Sequence, residues 1–225
     1  MLTLHHLEYS QSFRILWLLE ALDAEYELVR YRRQPVSMLA PRALKSLFPL
    51  GSAPVITDGE LVLAESSAIM EYILDKYPKS SLRPKTGSRF RTRYLFWFHA
   101  AQGTMMPVLL VDTLFLLMRK RAPLPLKPLL GAMGQMIKLV FVKPRLDGLL
   151  RLAEEDLSKS TWFAGPKLSA ADIVLSYSML AARERGFIND NHPNCLRWLE
   201  QIETEPSFVK ALEQDGRGRV VMPFK

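Results

Sequence analysis

Cysteine is nearly absent from this chain of 225 residues, which contains only Cys195. A single cysteine excludes an intramolecular disulfide framework and is typical of a protein from a reducing compartment. The segment Met1–His6 has no basic region followed by an apolar run, so it does not resemble a secretory signal. We therefore expect a cytoplasmic protein.

Long apolar runs are also missing. The stretch Met105–Met118 is interrupted by Asp112, and Leu129–Val142 is interrupted by Lys138. Both are shorter than the roughly 20 apolar residues that a membrane-spanning helix needs, so we expect no such helix. Bases and prolines at residues 119–128 leave weak contact with a membrane surface open.

Recognisable metal, haem and nucleotide motifs are missing as well. The adjacent His5 and His6 would point their rings to opposite faces of a strand, and no cysteine or acid stands at ligand spacing from them. The sequence therefore predicts no metal site.

The net charge of +7 is unevenly distributed along the chain. Residues 1–80 contain 8 Lys and Arg against 10 Asp and Glu, whereas residues 81–225 contain 22 against 13. Basic clusters can attract nucleic acid or anionic lipid, but most of them are solvated helix faces. We expect no nucleic-acid partner.

The predicted secondary structure changes near residues 77–84 from mixed strands and helices to helices alone. Before this point the patterns predict strands at 1–5 and 27–31, helices at 13–22, 41–47 and 65–77, and a hairpin of residues 55–57 and 61–63. After it they predict only helices, at 87–118, 129–157, 169–185, 192–204 and 206–214. The prediction is an α/β domain over 1–80, a linker over 81–86 and an all-α domain over 87–225.

Three polar segments of the first domain carry the functional signal. Tyr9–Arg14 places hydroxyls where a strand turns into a helix, Ser52–Val55 places a proline before a strand, and Glu65–Ser67 places an acid and hydroxyls at a helix start. Together they are typical of a pocket for a small thiol peptide. In the second domain, Ser169 and Asp172 have the spacing of a capping box.

These motifs and their order resemble a cytosolic-type glutathione S-transferase over the whole chain. Residues 13–20 and 49–51 resemble, more narrowly, a serine-type subgroup from bacteria and fungi. The resemblance implies a thioredoxin-like N-terminal domain followed by an all-helical C-terminal bundle that forms the second-substrate pocket. It also implies that the protein is a homodimer. The implied substrates are glutathione and a hydrophobic electrophile, and no cofactor besides glutathione is implied.

Thiol activation is the chemistry that this resemblance requires. The thiol of glutathione should ionise near pH 8.5, the approximate value for cysteine, so an activating group must favour the thiolate. A hydroxyl that donates to sulfur does this, and a helix N-terminus adds a positive potential. Ser10 best matches the position of the activating serine in the family, and Tyr9 and Ser12 are the alternatives.

The resemblance also assigns the residues that bind the tripeptide. A cis bond between Ala53 and Pro54 would present backbone groups to the ligand, beside Ser52. Glu65 would take the γ-glutamyl ammonium, and Ser66 with the helix N-terminus would take the carboxylate. Alternative functions are a glutathione-dependent peroxidase or reductase and a non-catalytic binding protein.

Overall fold

A four-stranded mixed sheet forms the first part of the molecule. The computed structural model describes residues 1–35 and 37–222. The strands are β1 (Leu2–Leu7), β2 (Glu27–Tyr31), β3 (Val55–Asp58) and β4 (Leu61–Ala64), in the sheet order β2-β1-β3-β4. Strand β1 is parallel to β2 and antiparallel to β3, and β3 is antiparallel to β4. The predicted strands are confirmed: β2 has the predicted bounds, and the ends of the other strands shift by at most two residues.

Three helices accompany this sheet: α1 (Ser12–Ala21), α2 (Arg42–Lys45) and α3 (Ser66–Lys76). Every side chain of α1 from Ser12 to Leu19 is buried. This agrees with its sequence, because a helix that is apolar on most sides is covered on most sides. The β-α-β and β-β-α order of a thioredoxin-like domain is therefore present.

Helices make up the rest of the chain. They are α4 (Arg91–Ala100), α5 (Met106–Arg121), α6 (Lys127–Ile137), α7 (Lys143–Ser158), α8 (Ala170–Glu184), α9 (Pro193–Glu203) and α10 (Pro206–Asp215). A π-turn at Ala101–Met105 joins α4 to α5, and another at Lys138–Val142 joins α6 to α7. The predicted capping box of α8 is confirmed, since Ser169 N–H donates to the Asp172 carboxylate at 3.0 Å. The fold is thus the predicted α/β part followed by a helical majority.

The continuous helix from Arg91 to Arg121 corresponds to the helix predicted over residues 87–118, with both ends displaced by three or four residues. By length and composition alone it could cross a membrane, and only 28% of its most apolar window is buried. Asp112 lies within it, buried beside Arg185 at 3.5 Å. The expectation that no helix is long and apolar enough to span a membrane is therefore wrong by length and composition, because the sequence analysis judged residues 105–118 without the rest of this helix.

The two parts of the chain share one hydrophobic core. Helix α10 returns to the first part and packs on α1. Phe208 lies edge-on against Phe13 and Trp17, and the indole N–H of Trp17 donates to Ser207 Oγ at 2.9 Å. The C-terminal helix thereby fixes the position of α1, whose N-terminal end forms part of the site described next.

Candidate active site

One cavity of about 400 Å³ lies between the sheet-containing part and helix α5. Its lining residues come from four separate segments of the chain: Gln11, Ser52, Ala53, Pro54, Glu65, Ser66, Gln102, Met106, Pro107 and Leu110. All five residues that the sequence analysis assigned to tripeptide binding line this single cavity. The structure therefore brings together residues from Gln11 to Ser66 of the sheet-containing part and adds a wall from the helical part.

The Ala53–Pro54 peptide bond is cis, as the resemblance implies. Strand β3 begins directly after it, and Val55 pairs with His5 on one side and with Ala64 on the other. The sheet therefore fixes the position of Ala53 and Pro54 at the edge of the cavity.

Glu65 and Ser66 stand at the start of α3. Glu65 has a φ of +73°, a conformation that non-glycine residues rarely adopt, and within the described residues its carboxylate forms no ion pair. Ser66 is buried, and the first turn of α3 contains no acidic residue. The helix N-terminus thus keeps free N–H donors for an anion, with a free carboxylate beside them.

The loop before α1 is held by a buried hydrogen-bond network. Ser10 Oγ donates to the carbonyl of Leu7 at 2.8 Å and lies 2.7 Å from Ser12 Oγ. Ser12 Oγ in turn contacts His6 Nδ1 at 2.9 Å. Tyr9 has a φ of +51°, and its carbonyl accepts hydrogen bonds from Arg33 and Tyr177. None of Tyr9, Ser10 and Ser12 is among the residues that line the cavity.

Gln11 is the residue of this loop that reaches the cavity, and the sequence analysis did not single it out. Its side-chain oxygen accepts a hydrogen bond from Gln102 Nε2 at 2.8 Å, which links α1 to the helical part. Within the described residues the amide nitrogen of Gln11 has no hydrogen-bond partner, so it is available as a donor. Its position between two serines at a helix start was the only signal in the sequence.

Behind the loop lies Arg14, which is fully buried. Within the described residues none of its guanidinium nitrogens has a hydrogen-bond partner, and the group lies 5.4 Å from the centre of the Tyr177 ring. Burial lowers the pKa of Arg14 to about 9. Arg14 therefore packs behind the loop and is not among the residues that line the cavity.

Cys195 is not among the residues that line the cavity and is buried at the start of α9. Burial, together with the neighbouring Glu154, raises the pKa of the Cys195 thiol. A buried thiol with a raised pKa is a poor nucleophile. Among the described residues no group of three or more histidine, cysteine or acidic side chains is arranged to hold a metal ion.

Comparison with known proteins identifies the family. Residues 1–75 match the family model of the glutathione S-transferase N-terminal domain, and residues 138–206 match that of the C-terminal domain. The crystal structure of a glutathione S-transferase from Actinobacillus pleuropneumoniae is 34% identical, with a TM-score of 0.74, and the match covers 96% of this chain and 93% of that one. This chain belongs to the glutathione S-transferase family.

Curated relatives agree with this assignment. Glutathione S-transferase 1 of Saccharomyces cerevisiae is 28% identical over 221 residues, which cover 93% of each chain. Glutathione S-transferase 3 of Schizosaccharomyces pombe is 28% identical over 214 residues, which cover 95% of this chain and 88% of the relative. The protein is therefore an enzyme of the glutathione transferase type, while the serine-type subgroup stays a prediction.

A sphingomonad glutathione S-transferase whose structure was solved with glutathione has the same fold, with a TM-score of 0.73 at 20% identity. The match covers 96% of this glutathione S-transferase and 99% of that chain. At this identity the similarity shows the fold alone.

Proposed function

We propose that this transferase binds glutathione in the 400 Å³ cavity and conjugates it to a hydrophobic electrophile. The observation that carries the proposal is the convergence of Ser52, Ala53, Pro54, Glu65 and Ser66 on that one cavity. Backbone groups of Ala53 pair with the cysteinyl unit in the manner of an added strand. Glu65 takes the γ-glutamyl ammonium, and Ser66 with the N–H groups of α3 takes the carboxylate.

Ser10 is the proposed donor to the sulfur. Its hydroxyl sits at the N-terminal end of α1, where the helix dipole also favours an anion. A shift of the thiol pKa by about two units requires roughly 2.7 kcal/mol, which a charge-assisted hydrogen bond and the dipole can supply together. Gln11 is the second candidate because it lines the cavity. Both serine hydroxyls bond the Leu7 carbonyl and each other, but Ser12 also bonds His6 and is fully buried, whereas Ser10 is 7% exposed.

An ultraviolet titration of the bound thiolate tests this assignment. In the native enzyme we expect a bound-thiol pKa well below about 8.5, and in Ser10→Ala we expect it to return toward that value. Gln11→Ala should have the smaller effect. If the bound-thiol pKa returns fully to about 8.5 in Gln11→Ala and not in Ser10→Ala, Gln11 is the donor to the sulfur. If the native enzyme does not bind glutathione, the proposed binding site is wrong.

The electrophile should lie on the helical wall of the cavity. Met106, Pro107 and Leu110 present apolar side chains there, and methionine adapts to varied ligand shapes. A hydroperoxide would use the same thiolate, so peroxidase activity is a variant of this mechanism. The reductase alternative lacks support, because Cys195 is buried and does not line the cavity. Parallel assays with an aryl halide and an organic hydroperoxide separate the first two activities.

We also propose that the enzyme is a cytoplasmic homodimer, as the resemblance implies. Strand β4 is an edge of the sheet, and its Leu61 and Val62 are exposed, as are Leu95 and Phe96 of α4. Apolar surface of this kind favours association. Sedimentation equilibrium should give twice the chain mass of 25.8 kDa, and Val62→Glu should lower it.

The hairpin formed by α5 and α6 supports contact with an anionic membrane surface. Residues 106–145 contain seven Lys and Arg and one acid, so they hold +6 of the net charge of +7. Among the described residues, thirteen of the 23 exposed large apolar side chains lie between Leu110 and Phe141. Two copies of so basic a face repel each other, which favours anionic lipid over self-association here.

Vesicle cosedimentation tests this contact. The enzyme should bind phosphatidylserine vesicles more tightly than phosphatidylcholine vesicles, and added salt should weaken the binding. Reversing Arg119, Lys120 and Arg121 to Glu should abolish it, whereas reversing the exposed Lys79, Lys85 and Arg89 should not. Equal binding by both triple variants, or a change only in oligomeric state, would contradict the proposal.

A further inference from the structure

A row of four buried polar side chains connects the thiol-activating loop to the C-terminal helix. Ser10 Oγ lies 2.7 Å from Ser12 Oγ, Ser12 Oγ lies 2.9 Å from His6 Nδ1, and His6 Nε2 lies 2.6 Å from Asp215 Oδ1. Each of these residues is at most 8% exposed. We name this row the serine–histidine relay.

The protons of the relay can be assigned from its acceptors. The carboxylate of Asp215 accepts from His6 Nε2–H, which leaves Nδ1 as the acceptor for the Ser12 hydroxyl. Backbone N–H groups of Leu7 and Ser12 donate to the oxygens of Ser12 and Ser10, respectively. The Leu7 carbonyl lies 2.8 Å from Ser10 Oγ and 3.1 Å from Ser12 Oγ and competes for both hydroxyl protons, so the relay requires Ser10 to turn its proton from that carbonyl to Ser12 Oγ.

A second cavity, of about 560 Å³, lies at the far end of the relay and is lined by His6 and Asp215. The other charged and titratable groups that line it come from β2, from the residues directly after β1 and β2, and from the segment around the end of α10: Glu8, Arg30, Tyr31, Arg32, Glu213 and Arg217. Asp215 also accepts from the backbone N–H of Arg217 at 3.2 Å. This cavity gives the imidazole a route of proton exchange that is separate from the glutathione cavity.

We propose that the serine–histidine relay accepts the proton of the glutathione thiol, an inference that rests on the proposed role of Ser10. The S–H bond breaks and its electron pair stays on sulfur, while the proton passes to Ser10 Oγ. The Ser10 proton passes to Ser12 Oγ, and the Ser12 proton passes to His6 Nδ1. The products are a thiolate and an imidazolium that is paired with Asp215. His6 and Asp215 are positioning residues, because they act through the two serines.

After the thiolate attacks the electrophile, the leaving group departs with its electron pair and the imidazolium proton leaves through the second cavity. Deprotonation therefore does not depend on a base in the glutathione cavity, where within the described residues Glu65 is the one acidic side chain of the lining. The relay also explains why a histidine and a carboxylate separated by 209 positions meet in the interior.

The adjacent histidine provides a matched control. His5 occupies the next position of β1, is 8% exposed, and contacts Tyr31 Oη at 3.1 Å and Thr57 Oγ1 at 3.3 Å. It is outside the relay. A His6→Asn side chain keeps an oxygen that can accept from Ser12 but cannot take up a proton, so it separates hydrogen bonding from proton transfer.

The experiment is stopped-flow measurement of thiolate absorbance after the enzyme is mixed with glutathione, from pH 6 to 9, together with the bound-thiol pKa at equilibrium. We expect His6→Asn to slow thiolate formation about tenfold or more and to raise the bound-thiol pKa, and Asp215→Asn to have a smaller effect in the same direction. His5→Asn should match the native enzyme. Thermal unfolding checks that each variant is folded. If His6→Asn does not fold, the result for Asp215→Asn decides the test.

The outcomes separate this inference from the proposed function. If Ser10→Ala raises the bound-thiol pKa while His6→Asn and Asp215→Asn match His5→Asn in rate and pKa, the relay is wrong and the role of Ser10 stands. If Ser10→Ala has no effect on either quantity, both the role of Ser10 and the relay are wrong.

Discussion

At the residue scale, Glu65 combines an unusual backbone conformation with a proposed ligand contact. Its φ of +73° is one that glycine adopts freely and other residues adopt at a cost of about 1–3 kcal/mol. The side chain explains why the chain keeps an acid there, because its free carboxylate borders the cavity. Backbone stability therefore favours glycine at this position, whereas the proposed ligand contact requires the acid.

Two substitutions of Glu65 should separate those demands. Both Glu65→Ala and Glu65→Gly should raise KM for glutathione, because each removes the partner of the γ-glutamyl ammonium. Glu65→Gly should be more stable than Glu65→Ala by about 1 kcal/mol in the free energy of unfolding, and should therefore unfold at a higher temperature. Steady-state kinetics and thermal denaturation measure the two effects. Equal KM values for native enzyme and both variants would remove Glu65 from the site.

At the scale of single elements, the start of α8 is held by Asp172. This fully buried carboxylate accepts hydrogen bonds from the backbone of Phe163 and Ser169, from Ser169 Oγ and from the indole of Trp198, at 2.7 to 3.0 Å. It therefore joins the helix cap to a loop and to helix α9.

Asp172→Ala should be far more damaging than the loss of a simple cap. It leaves several buried donors without a partner, so we expect the free energy of unfolding to fall by about 3–5 kcal/mol. The control Ser169→Ala removes the capping hydroxyl and keeps the carboxylate, which should cost about 0.5–2 kcal/mol. Urea denaturation gives both values. Similar losses in the two variants would mean that Asp172 acts only through the cap.

Helix α9 has an analogous device at its N-terminus, where Glu154 of α7 accepts from Asn194 and from the backbone of Cys195. Although burial by itself raises the pKa of Glu154, these hydrogen bonds outweigh it and hold that pKa below its ordinary value of 4.5. A carboxylate with a depressed folded-state pKa stabilises the fold above its unfolded value. That stabilisation is lost as pH falls through the folded pKa.

Acid denaturation should reveal this contribution. Below about pH 4.5 the native enzyme should lose stability more steeply than Glu154→Gln, which should be less stable by about 1.5–3 kcal/mol at neutral pH. Glu155→Gln, at the exposed neighbouring position, should follow the native profile closely. Urea midpoints between pH 3 and 7 provide the comparison, and parallel profiles for the native enzyme and Glu154→Gln would refute the linkage.

At the scale of the whole molecule, α10 makes the two parts of the chain one folding unit. Phe208 is 2% exposed and packs against Phe13 and Trp17 of α1, whereas its neighbour Val209 is 38% exposed. We expect Phe208→Ala to lower the free energy of unfolding by about 3–5 kcal/mol and Val209→Ala to have little effect.

Calorimetry should show that both variants and the native enzyme unfold in one transition. Two separate transitions in Phe208→Ala would mean that the sheet-containing part and the helical part are stable without each other. Near-equal stability of the two variants would mean that the packing of α10 on α1 contributes little.

The sequence determined much of the fold, because many of its signals are local. Strand β2 occupies the predicted residues 27–31, and the Ser169–Asp172 spacing marked the start of α8, since a cap depends on neighbours three residues apart. The resemblance added the cis Ala53–Pro54 bond and the pair Glu65 and Ser66, which the structure places together at the cavity. The assignment of these residues to glutathione binding stays a prediction.

Only the tertiary structure decided which groups face the cavity and which face one another. No local pattern shows that Gln11 lines the cavity while the Ser10 and Ser12 hydroxyls form a row with His6. The position of the His6 ring also involves Asp215, which is more than 200 positions away in the sequence. Likewise, periodicity marks the apolar sides of α5 and α6 but does not show which of them other helices cover. Burial is a property of the whole packed chain, so these contacts could be known only after the chain had folded.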